Sequence, residues 1–241
     1  MLKKWIVFVL LAVLAAGCTA ARPNALFGSG TAVTKDFQVV DFDRVDAAYG
    51  FRVTLARGEP FKVTVTTHDN IMQYVRVEKA GDTLKLFVDM RPFTTYTINR
   101  LEATVTMPAL AGVTASGGSR VDVAGFDLQP ALEVDLSGGS RLTGDLSAAK
   151  MRLQTSGGSS ATVAGKADSL NLEASGGGRT DLSRLEVTAA TVRLSGGSTV
   201  IVNAGELSYD LSGGSQLRYT GNPRIVSQNT SGGASAVPVN P

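Results

Sequence analysis

The chain has 241 residues, of which one is cysteine and one is histidine, and the two signs of charge nearly cancel. A single Cys leaves no disulfide to staple a fold. A single His, His68, with no second His or Cys to join it, makes a poor metal ligand set. The run Thr67-His68-Asp69-Asn70 therefore reads as an exposed turn. Gly-x-Ser-x-Gly elbows, phosphate loops and dinucleotide fingerprints are missing, which removes the apparatus of the common hydrolases and nucleotide enzymes. The Gly-Gly-x-Gly-x-Asp run of calcium-binding solenoids is also missing. Thr162, Thr180, Thr191 and Thr199 fall in different columns of the repeat, where an ice-binding face would need aligned ranks. No cofactor and no catalytic residue is expected.

A basic surplus is lacking too. The chain holds 23 Lys and Arg against 21 Asp and Glu, and two of the lysines, Lys3 and Lys4, sit in the first five residues. A nucleic-acid binder needs excess cations to displace counterions from phosphates, so nucleic acid is not an expected partner. Lys3 and Lys4 precede the apolar run Ile6–Ala16, which is too short to span a bilayer and reads as a secretion signal over residues 1–17. Ala15-Ala16-Gly17-Cys18 follows, and it resembles the lipobox of bacterial lipoproteins. That resemblance implies acylation of Cys18, attachment to a membrane through the N-terminal lipid and, with Thr19 rather than Asp next, the outer membrane. Residues 18–35, rich in Pro, Gly, Ser, Thr and Ala, read as a flexible tether.

What the sequence does have is glycine in a pattern. Ser-Gly-Gly begins at Ser116, Ser137, Ser156, Ser175, Ser195, Ser212 and Ser231, at intervals of 17 to 21 residues. Three residues before each copy stand Val113, Val134, Leu153, Leu172, Val192, Tyr209 and Gln228; five after stand Val121, Leu142, Ala161, Thr180, Val200, Leu217 and Ala236. The residues between are polar, so the period is two and the segments are strands. A fixed-distance repeat of strands and turns predicts an all-β solenoid, a single-stranded parallel β-helix with coils of about 19 residues over 111–236. The handedness bias of parallel crossovers makes it right-handed. Gly-Gly fits a sharp corner of positive φ or close backbone approach, so Gly158→Val in a middle coil should be far more harmful than Gly233→Val in the last. The serines around each Gly-Gly are expected to pass hydroxyl bonds up the stack, interrupted at Gly178 and Ala234.

Residues 36–110 are β-rich without that period and read as a cap on the solenoid. Phe51–Leu55 with Phe61–Val65, and Val75–Val77 with Leu84–Val88, are expected as hairpins. Leu101–Met107 runs into Pro108 and is expected to begin the coil, and residues 237–241 form a C-terminal tail in which Pro238 and Pro241 cannot donate to another strand. The lipobox-like start, irregular β segment, strand into Pro108-Ala109-Leu110 and repeated Ser-Gly-Gly coils together resemble the bacterial family called putative auto-transporter adhesin, head GIN domain. The resemblance implies a right-handed β-helix in an envelope protein for which adhesion is proposed and no catalytic residues are established; a glycan or a surface protein is the expected ligand.

Two outward columns carry the remaining charge. Asp135, Gln154, Glu173, Arg193, Asp210 and Asn229 separate their acids, whereas a polysaccharide lyase or hydrolase on a β-helix would group carboxylates on one wall. The second column, four after each first Ser, holds Arg120, Arg141 and Arg179, which are candidates for contacting an acidic glycan; the competing reading is a solvated, solubilising face. The sequence thus supports a non-enzymatic envelope binding module, with a glycan-degrading enzyme and a purely structural spacer as the alternatives.

Overall fold

A strand with alternating apolar residues must bury one face, and a short parallel strand does so by stacking on its neighbours around a shared interior. In the computed structural model, which describes residues 25–89 and 95–239, the strands are arranged in this way. In chain order they are β1 (Ala25–Phe27), β2 (Ala32–Phe37), β3 (Arg44–Ala47), β4 (Arg52–Arg57) and β5 (Lys62–His68), a single turn α1 (Asp69–Met72), then β6 (Val75–Ala80), β7 (Thr83–Val88), β8 (Thr95–Thr97) and β9 (Leu101–Met107). The repeat region supplies β10 (Gly112–Ala115), β11 (Arg120–Leu136), β12 (Arg141–Thr155), β13 (Ser160–Ala174), β14 (Arg179–Leu194), β15 (Thr199–Leu211), β16 (Gln216–Thr220), β17 (Arg224–Thr230) and β18 (Ser235–Pro238). Successive coils pair in parallel in the order β18, β16, β15, β14, β13, β12, β11, β10. The architecture is the expected β-helix with coils of about 19 residues.

Each coil has two main walls that meet at the Ser-Gly-Gly corner. The first wall precedes the corner (Lys150–Thr155 under Ser169–Ala174) and the second follows it (Arg141–Asp145 under Ser160–Ala164). A short third side, stacked through Leu146 and Ala148, closes the coil. The predicted inward columns are buried: Val134, Leu153, Leu172 and Val192 are at most 2% exposed, as are Val121, Leu142, Ala161 and Val200. The last coil departs from this. Val226 is 53% exposed, because a register shift beside Leu207 displaces β17 and nothing among the described residues lies above it.

The N-terminal segment corrects several expectations. Cys18 and the signal at 1–17 lie outside the described residues. From Ala25 onward the expected tether is paired backbone, not linker: β1 pairs with β8, and β2 lies antiparallel to β5. Part of the expected cap belongs to the coil itself. β3 stacks in parallel under β10 and β4 under β11, and a further rung lies below them, with β7 under β3 and β9 under β4. The β6–β7 hairpin forms as expected. A hairpin of β4 with β5 does not, because β9 inserts between them, parallel to β4 and antiparallel to β5. Val53, Ala103 and Val65 thereby form one buried ladder, which a local hairpin would have left open on one side. The antiparallel strands β6, β5 and β2 then close the lower edge of the stack. Among the described residues no helix is long and apolar enough to cross a membrane.

The corner beneath Ser116–Ser119 is Ala48-Tyr49-Gly50-Phe51, which contains no Ser-Gly-Gly. Tyr49 (φ 61°) and Gly50 (φ 81°) reproduce the angles of Gly117 (60°) and Gly118 (79°) above them. Both central residues are left-handed there and at Gly138-Gly139, as in a type I′ turn. From Gly157 upward only the first glycine has positive φ. At three of these corners the second glycine's N–H donates to the first glycine's carbonyl one rung below, from Gly177 to Gly157 at 2.9 Å, from Gly197 to Gly176 at 2.8 Å and from Gly214 to Gly196 at 2.7 Å. Gly158 therefore lacks the conformation attributed to it, and a Cβ there would meet nothing within 4 Å. The strained position is the first glycine.

Candidate functional site

A solenoid displays its chemistry in columns, because parallel register sets equivalent residues one above another at ~4.8 Å. On the first wall, Asp135, Gln154, Glu173, Arg193 and Asp210 form one such column beside the corner serines. With Ser156, Ser175, Ser195 and Ser212 they line an open groove of 490 Å³ running along the stack. Two of its three acids, Glu173 and Asp210, are engaged. Gln154 Nε2 donates to Glu173 Oε2 at 3.2 Å, Arg193 lies 3.9 Å from the same carboxylate, and Asn229 Nδ2 donates to Asp210 Oδ1 at 2.9 Å.

Farther from the corner the same wall carries a second open groove, of 540 Å³, with small residues Ala131, Ser169 and Ala189 as part of its lining. One border is a ladder of alternating charge. Glu133 accepts from Arg44 at 3.1 Å and lies 3.9 Å from Arg152. Arg44 spans two rungs to do so by crossing Gly112, where an added Cβ would come within 2.8 Å of its Nη1.

The corner serines follow the expectation only in part. The fourth-position hydroxyls donate within their own turn, from Ser119 Oγ to Ser116 O at 2.8 Å and from Ser140 Oγ to Ser137 O at 2.7 Å; bonds between rungs form at the upper corners, from Ser198 Oγ to Ala174 O and Ser212 Oγ to Leu194 O at 3.3 Å and from Ser231 Oγ to Leu211 O at 3.4 Å. A side chain folded back three residues reaches its own turn's carbonyl sooner than the next rung. Ser159 Oγ is buried with no partner, and above it Gly178 replaces serine because a Cβ would lie 2.2 Å from Ser159 O.

The predicted arginines all lie on the second wall. Arg120 and Arg141 are direct register partners, and Arg141 Nε donates to Ser160 Oγ at 3.0 Å. Arg179 is separated from them by Ser160 and lies 3.8 Å from Asp181 in its own strand. Burial alone would raise the Asp181 carboxyl, but bonds from Ser183 Oγ and N–H and the charges of Arg179 and Arg184 outweigh it and hold that carboxyl below its ordinary range. Sequence reasoning missed Arg52, which sits directly under Arg120 and belongs to the same column. The alternation Val45, Ala47 before Tyr49-Gly50 and Val53, Leu55 after it was the available signal, obscured by the long insertion before β10.

His68 is not an exposed turn. It ends β5, is half-buried, and shares a 2.7 Å hydrogen bond with Asn99 Oδ1. Its neighbour Asn70 donates to Phe27 O and accepts from Ser29 N–H, so this run fastens the N-terminal strand to the cap. Among the described residues no group of three or more His, Cys, Asp or Glu is assembled for a metal.

The sequence model of the family described as putative auto-transporter adhesin, head GIN domain, matches residues 41–223. No curated protein matches. Among solved structures, the chain is similar to a putative adhesin from Bacteroides fragilis, at 21% identity and a TM-score of 0.79, over 88% of this chain and 99% of that one. It is similar to a putative adhesin from Parabacteroides merdae, at 16% identity and a TM-score of 0.67, over 90% and 100%. A structure from Parabacteroides distasonis, called a putative lipid binding protein, is similar at 14% identity and a TM-score of 0.71, over 90% and 100%. At these identities the likeness is one of fold.

Proposed function

The chain belongs to the putative auto-transporter adhesin, head GIN domain family, and on that premise we propose that it is a non-enzymatic binding module of the cell envelope. The observation that carries this reading is the outer face of the first wall. There a groove of 490 Å³ runs across successive rungs, and its charged residues are interleaved with opposite or amide partners. Hydrolytic work on a glycan needs an acid and a base free to exchange protons. Here Glu173 is held between Gln154 and Arg193, an arrangement suited to hydrogen-bonding a long ligand across several rungs. The proposal extends to attachment through lipid on Cys18, in the outer membrane, with a glycan or surface protein as ligand.

Two experiments test it. The purified Cys18→Ser chain is screened on arrays of glycans and matrix proteins, with the heat-unfolded chain as control. Retention of the folded chain on a defined subset is expected. Retention on none leaves the spacer reading, and cleavage of an arrayed glycan promotes the enzyme. For the anchor, cells are fed a fatty-acid probe; wild type should carry label and Cys18→Ser should not, and an unlabelled wild type removes the lipid.

A further inference from the structure

Like charges directly opposite each other in a sheet repel, and parallel stacking brings every outward charge against the residue one rung away. This molecule respects that rule almost everywhere. Glu133 faces Arg152, Lys166 faces Glu186, Arg193 lies between Glu173 and Asp210, Glu206 faces Arg224, and Lys85 faces both Asp46 and Glu78. Among the described register pairs in which both members are charged, only Arg52–Arg120 and Arg120–Arg141 join like signs, and they are consecutive. Glu102 faces Arg52 from below at 3.9 Å, and Ser160 meets Arg141 from above. The side chain of Arg120, between the two, has no hydrogen bond or ion pair among the described residues, whereas its backbone N–H is engaged, on Phe51 O at 2.7 Å.

A local rule kept throughout a fold and broken at one place is the mark of a site selected for something other than stability. We propose that Arg52, Arg120 and Arg141 form a linear anion ladder that binds an acidic polysaccharide carrying one carboxylate on each sugar. This rests on the binding-module reading and names a ligand class for a second face. The three guanidinium groups are exposed, lie on one line along the stack, and repeat at the rung spacing of ~4.8 Å, which is close to the advance of one sugar ring in an extended chain. Each presents a planar fork that matches a carboxylate with two parallel hydrogen bonds. Beside them the corner is bare: at Gly50, Gly118 and Gly139 an added Cβ would meet nothing within 4 Å, so a polymer can lie flush against backbone. The rest of this wall's outward face offers Thr54, Asp122 and Thr143 rather than the aromatic rings on which single-stranded nucleic acid stacks.

The test uses the Cys18→Ser chain and immobilised polygalacturonate, with neutral dextran as control surface and vesicles containing phosphatidylglycerol as a competing anionic source. Wild type should be retained on polygalacturonate at low salt, released as salt rises toward physiological strength, and not retained on dextran. Arg120→Gln with Arg141→Gln should weaken retention at least about tenfold, since two charge-assisted contacts are lost. Lys166→Gln with Arg224→Gln, which removes the same charge outside the second wall and outside both grooves, should change it less than about threefold. Arg120→Gln alone should leave the melting temperature unchanged or raise it, whereas a structural arginine would lower it. The ladder is refuted if wild type is not retained at low salt, if both double variants behave alike, if Arg120→Gln lowers the melting temperature, or if only vesicles are bound. Array retention that survives loss of the ladder would leave the binding-module reading standing.

Discussion

Replacing either glycine of one corner by alanine adds the same methyl group, yet the two substitutions in Gly176-Gly177 should diverge by several kcal/mol. Gly176 has φ +85°, and a Cβ there would lie 2.5 Å from Gly157 O and 3.0 Å from Gly157 N on the rung below. Gly177 lies outside the positive-φ region, and its Cβ would meet nothing within 4 Å. A left-handed conformation costs an L-residue about 1–2 kcal/mol. The approach to Gly157 is against backbone, so relief means moving the rung that receives the 2.9 Å bond from Gly177 N–H, for about 1 kcal/mol more. Gly176→Ala should therefore destabilise by about 2–3 kcal/mol, a fall in melting temperature on the order of 5–10 °C for a domain of this size. Gly177→Ala should be neutral or stabilising by up to about 1 kcal/mol, because it only narrows the unfolded ensemble. Gly139→Ala isolates the backbone contribution, since its φ is +80° but its Cβ would be free, and it should fall between the two. Thermal and urea unfolding followed by far-UV circular dichroism measures all three. Equal losses for Gly176→Ala and Gly177→Ala, or a greater loss for Gly177→Ala, would refute the two-geometry corner.

Ser140→Ala should cost about 1 kcal/mol, because it removes the 2.7 Å bond to Ser137 O from a buried turn, while Ser159→Ala, whose buried hydroxyl has no partner, should be neutral or stabilising; urea midpoints of the two variants decide it. Phe51→Ser restores the repeat's serine at the lowest corner but empties a fully buried ring site, and should destabilise by about 3–5 kcal/mol in the same assay. Asp181→Asn should lower stability at neutral pH by about 1 kcal/mol or less, given partial exposure. Because the folded carboxyl titrates below its unfolded value of ~3.9, that difference should be complete above it, shrink as pH falls through the folded value and vanish below. Melting curves of both proteins between neutral pH and pH 2 would show a constant gap if this assignment were wrong.

The periodic part of the fold was legible because each coil repeats one local problem. Ser-Gly-Gly at near-constant spacing, with columns such as Val134, Leu153, Leu172 and Val192, specifies strand, corner and inward face by period alone. Family likeness rests on that regularity. What sequence could not decide is pairing between residues far apart in the chain. Both Phe61–Val65 and Leu101–Met107 alternate as well as any strand, and only the assembled sheet shows that β9, not β5, lies against β4. Tyr49-Gly50 carries no sign of a Ser-Gly-Gly corner, yet register beneath Gly117-Gly118 imposes the same two left-handed residues on it. Arg52 joins Arg120 and Arg141 for the same reason: a shared column depends on rung order, and an insertion hides that order from any count along the chain. Local periodicity fixes which face a side chain takes, because it needs only neighbouring residues; which side chains become neighbours across rungs is fixed by backbone pairing between distant strands, which only the folded chain contains.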